Sequence, residues 1–76
     1  MKIRLNSIDK VKNFVNQMST LDADIDLISG RYVIDAKSIM GVFSLDLTHD
    51  IEIRIDTESK EELEKFKNII KAYIVE

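Results

Sequence analysis

Along this chain the spacing of apolar residues switches repeatedly between two, the period of a half-buried strand, and three to four, the period of a helix face. Each pattern leaves one apolar face that needs a partner. Within 76 residues the economical solution is a sheet with helices laid on it.

"KIRLN" places Ile3 and Leu5 on one face and Lys2 and Arg4 on the other, which predicts a short strand. From Ser7 to Thr20, Ile8, Val11, Phe14, Val15 and Met18 share one helix face, with Asn6 or Ser7 as the cap. "ADIDLIS" alternates through Ala23, Ile25 and Leu27, and "SGR" supplies a turn glycine before "YVIDA", so the pair predicts a hairpin. A second helical stretch begins at Ser38 in "SIMGVFSL", and the turn "THD" leads into "IEIRI", where Ile51, Ile53 and Ile55 alternate. After Asp56, Leu63, Phe66, Ile70, Tyr73 and Ile74 form one helix stripe, with Ser59 and Glu62 at capping-box spacing. The order is β-α-β-β-α-β-α with short connections, which predicts an α+β domain over residues 1–76 whose antiparallel sheet is covered on one face.

Composition removes several classes of function. There is no cysteine, hence no disulfide, thiolate metal site or thiol nucleophile, and a single histidine builds no multi-histidine metal centre. No metal or cofactor is expected. No run of 18 apolar residues occurs, and "MKIRLNSIDK" lacks the apolar core of a signal peptide, so the expectation is a cytoplasmic protein away from membranes. The 14 acids and 11 bases are interspersed, net −3, without the basic stripe that a nucleic acid demands.

The acids themselves suggest no catalysis. Glu58, Glu61, Glu62 and Glu64 interleave with Lys60, Lys65 and Lys67 at helical spacing, which reads as a solvated face. Asp22, Asp24, Asp26 and Asp35 lack the glycine and glutamate of a calcium loop and read as the outer face of the hairpin. His49 reads as an exposed turn residue. Ser38 reads as a helix N-cap, and the apolar residues after it, Ile39, Met40 and Phe43, exceed what so short a helix needs for packing. Val42 and Phe43 are as readily core as surface, Met40 less so.

"AKSIMGVFSL" at 36–45 resembles the HPr phosphocarriers of the bacterial phosphoenolpyruvate-dependent sugar phosphotransferase system, nearly in the pattern of Gram-positive members. The likeness runs without gaps from about Leu5 to the end, and the central block carries its specificity. It implies an open-faced β-sandwich: a four-stranded antiparallel sheet in the order 1-4-2-3 with three helices on one face.

The family's chemistry uses a histidine at the start of the first helix, then an arginine and a proline. Here Ser7 falls at the histidine, Asp9 at the arginine and Lys10 at the proline. A serine ester is stable and its hydroxyl needs a base, while Asp9 places negative charge where a cation would hold phosphate. The expectation is a protein that does not carry phosphohistidine and is not an enzyme.

The resemblance implies a different role for Ser38, which in this family is phosphorylated from ATP by a dedicated serine kinase, the product binding a transcriptional regulator of carbon catabolite genes. Residues equivalent to Ile39 and Met40 contact protein partners there. A phosphate at Ser38 would add roughly 1.5 to 2 negative charges beside that patch. Asp46 stands where the family usually has glycine; a backbone of positive φ is expected there, and its carboxylate is expected to deter acidic partners. Three readings follow: a regulatory, histidine-free HPr-like protein; a repurposed interaction domain without phosphorylation; and a carrier with chemistry relocated to Ser7 or His49.

Overall fold

The computed structural model describes residues 1–75. Its elements are β1 (Lys2–Ile3), α1 (Ile8–Met18), β2 (Asp24–Ser29), β3 (Tyr32–Asp35), α2 (Ile39–Phe43), β4 (Ile51–Asp56) and α3 (Lys60–Ile70). The four strands form one antiparallel sheet in the order β1-β4-β2-β3, with the helices on one face, as both the spacing and the resemblance lead one to expect.

Alternation decides which face is covered. Ile3, Ile25, Leu27, Ile51 and Ile53 point toward the helices and are buried, joined by Val11, Phe14, Val15 and Met18 of α1 and by Phe66 and Ile70 of α3. The opposite face carries Lys2, Glu52, Arg54 and Asp56 beside Asp24, Asp26 and Asp35. The hairpin closes through Gly30, whose φ of 58° suits a residue without Cβ.

Four expectations need correction. β1 is only two residues long, paired with Ile51 and Glu52 of β4, and on its other side Arg4 N–H donates to the Tyr73 carbonyl at 3.0 Å. Ile8 is 63% exposed: as the first residue of α1 it precedes the turn that meets the sheet. α3 ends at Ile70, and the chain then turns to run along β1, with Ile74 paired to Ile3 and Val75 N–H on the Lys2 carbonyl. Ile74 is therefore an exposed edge residue and not part of the helix stripe. Finally, Ser59 caps α3 through Glu62 N–H, but the Glu62 side chain does not return to complete a capping box. It accepts from the backbone N–H groups of Asp22 and Ala23, so Glu62 belongs to a tertiary contact and not to a solvated face.

Among the described residues no helix is long and apolar enough to cross a membrane, and no three of His, Cys, Asp or Glu group to hold a metal ion.

Candidate functional site

Two helix N-termini carry the residues singled out by sequence, and α1 and α2, which own them, pack against each other. At the first, Ser7 adopts an extended backbone and its Oγ accepts from Lys10 N–H at 3.1 Å. Its oxygen thus caps the helix. Asp9 and Lys10 are exposed in the same turn, and this turn contains no imidazole or guanidinium.

At the second, Ser38 is exposed and caps α2, its Oγ accepting from Gly41 N–H at 3.2 Å. The helix is shorter than "SIMGVFSL" suggests, five residues from Ile39 to Phe43, because Ser44 N–H already turns back onto the Gly41 and Met40 carbonyls. Gly41 lets α2 lie close on β3: a Cβ there would stand 2.7 Å from Ile34 Cγ2. This close seat determines which side chains go inward. Val42 is fully buried, whereas Met40 is 77% exposed and Ile39 and Phe43 are more than a third exposed.

Ile8 adds a further exposed apolar side chain on the helix that α2 packs against. Periodicity alone assigns it to the core; the signal against that is its place directly after the capping serine, before the helix meets the sheet.

Asp46 follows α2, and the expected positive φ is absent: Gly30 alone has one among the described residues. Asp46 instead holds a polar turn. Its Oδ1 accepts from Thr48 N–H at 3.0 Å and from Thr48 Oγ1 at 2.6 Å, and its Oδ2 lies 3.3 Å from His49 Nε2. These Thr48 bonds, with the smaller pull of His49, hold its carboxyl below the usual range. His49 is exposed and partnered by Asp46.

The family model described as the PTS HPr component phosphorylation site matches residues 10–73, beginning just after Ser7 and Asp9. No curated protein sequence matches the chain. Among solved structures, HPr-C-His from Thermoanaerobacter tengcongensis is similar at a TM-score of 0.74 and 19% identity, covering 95% of this chain and 90% of that one. Crh, the catabolite repression protein of Bacillus subtilis, described as an intertwined, domain-swapped dimer, is similar at a TM-score of 0.66 and 24% identity, covering 100% of this chain and 90% of its own. By the extent of the family match, and with the fold and strand order in accord, the chain belongs to the HPr family of the phosphotransferase system, a family of phosphocarriers and not of enzymes.

Proposed function

We propose that this chain is a regulatory HPr-family protein of the cytoplasm that does not carry phosphohistidine, and that it acts through Ser38 and the exposed apolar side chains of α2. The observation that carries this reading is at the start of α1, where Ser7 and Asp9 stand in place of an imidazole and a guanidinium and Asp9 contributes negative charge. A histidine carrier needs the imidazole as nucleophile and a guanidinium to hold the phosphoryl group, and this turn has neither; its one cation, Lys10, stands beside Asp9.

Ser38 supports the other half. It is exposed, so a kinase has access to its Oγ for attack on the γ-phosphorus of ATP, ADP leaving and the hydroxyl proton passing to the kinase. The new charge would sit beside Ile39, Met40 and Phe43, where burial supplies affinity and charge selects the partner. A serine kinase and a transcriptional regulator are the partners this predicts. Asp46, exposed just beyond α2, works against acidic partners on the same side. The fold shared with a catabolite repression protein is in keeping with this role.

The test is incubation with phosphoenolpyruvate and the first enzyme of the phosphotransferase system, and separately with ATP and an HPr serine kinase, reading intact mass and the modified residue. Phosphate from ATP alone, on Ser38, is the expected result. Phosphate from phosphoenolpyruvate would overturn the reading, and none from either would leave an interaction domain that has lost phosphorylation altogether.

A further inference from the structure

The sheet has two edges, and they are treated differently. Beside β1 runs the chain's own segment 73–75, which takes up backbone groups of Lys2 and Arg4. Among the described residues β3 has β2 on one side and no strand on the other. Its side chains are not the lysines or prolines that usually guard a free edge: Tyr32 and Val33 are 67% and 57% exposed.

We propose that two copies of this chain associate through the free edge of β3, pairing antiparallel about Val33. The backbone faces the right way. The pairing Ser29↔Tyr32 closes the two-residue turn, and Ala36 N–H donates to the Ile25 carbonyl, so Tyr32, Ile34 and Ala36 direct their N–H and C=O groups to β2. The groups of Val33 and Asp35, out of phase with these, face the open edge.

Register follows from the side chains. With Val33 opposite Val33 of the second copy, Tyr32 faces Ile34, and Arg31 faces Asp35, twice by symmetry. On the outer face Val33 already neighbours Ile28, so the pair would create one apolar strip across both copies, flanked by opposite charges. Sliding by two residues would set Val33 against Asp35 and Arg31 against Lys37, which loses both complementarities.

Within one copy the charges lack these partners. Asp35 lies directly across from Asp26 on β2, a like-charge pairing, and among the described residues neither Arg31 nor Asp35 forms an ion pair. Asp35 accepts the Lys37 N–H at 2.9 Å, and an incoming Arg31 would add the cation that its carboxylate does not meet within the copy.

Sedimentation equilibrium from micromolar to millimolar protein tests the pairing with two variants, Arg31→Asp and Asp35→Arg. The wild-type chain is expected to dimerise in this range. Each variant alone places like charges together at both ends and should weaken association roughly tenfold or more. An equimolar mixture of the two should associate again, because each then offers the charge the other lacks; this recovery also excludes a folding defect. A wild-type chain monomeric at millimolar concentration would overturn the proposal. So would a dimer indifferent to both reversals, as expected of one held by exchanged segments.

Discussion

Glu62 and Asp22 are joined across the molecule: Oε1 of Glu62, in the first turn of α3, accepts the Asp22 N–H at 2.6 Å and the neighbouring Ala23 N–H at 3.1 Å. The carboxylate thus fixes the chain just before β2 enters the sheet. Glu62→Gln keeps an acceptor but loses its charge, and is expected to cost about 1 kcal/mol; Glu62→Ala leaves both donors to water and costs about 2 kcal/mol. Urea denaturation of the two variants checks the order.

Met40 and Val42 are two residues apart and have opposite fates. Met40→Asp is expected to leave the melting temperature nearly unchanged, since the side chain is 77% exposed, while weakening binding to a protein partner captured through α2. Val42→Ala, at a fully buried position, is expected to cost about 2 kcal/mol through lost burial and the cavity left behind. A large fall in melting temperature for Met40→Asp would place that residue in the core.

Gly41→Ala sets two effects against each other. Helix propensity favours alanine by about 1 kcal/mol, but overpacking typically costs about 1 to 3 kcal/mol. The new Cβ would meet Ile34 Cγ2 at 2.7 Å, and a β-branched methyl has little room to move. The clash is expected to win, with a net loss near 1 kcal/mol. Ile34→Leu, which removes Cγ2, should recover part of it in a double-mutant cycle.

Tyr73 packs edge-on to Phe14 and donates its hydroxyl hydrogen to Gln17 Oε1. Burial pushes its phenol above the ordinary 10.0. The unfolded chain therefore loses this proton first. The stabilisation is complete below about pH 10 and declines as pH rises from there through the higher folded pKa. Tyr73→Phe is expected to flatten that alkaline decline in a series of thermal melts.

At the acid end, Asp46 is held low by Thr48. A depressed carboxyl stabilises the folded chain above its unfolded pKa, near 3.8, and the effect fades as pH falls through the folded value. Amide exchange at Thr48 should quicken over that interval in the wild-type chain. In Asp46→Asn the same exchange should not change with pH beyond its intrinsic dependence.

The spacing of Ile51, Ile53 and Ile55 marked β4, and the block around Ser38 marked both its cap and the family, because local periodicity and capping are short-range properties. What escaped depended on distant contacts. Ile8 fits the apolar face of α1 by number alone, yet as the residue directly after the capping serine it lies outside the packed part of the helix. Glu62 sits at capping-box spacing, but its partners are forty residues upstream. Ile74 continues a helix stripe on paper; its pairing with Ile3 appears once the sheet is assembled. For Asp46, the resemblance suggested a glycine-like backbone; its φ is not positive, and its carboxylate accepts from Thr48.

The antiparallel seam between segment 73–75 and β1 has a mechanical consequence. Val75 N–H rests on the Lys2 carbonyl, so residues 1 and 75 leave the fold side by side. Force drawing them apart loads the hydrogen bonds of this seam one after another, as a zip opens, rather than all together in shear. The domain resists pulling weakly along that axis, and the first bond to yield is the one between Val75 and Lys2.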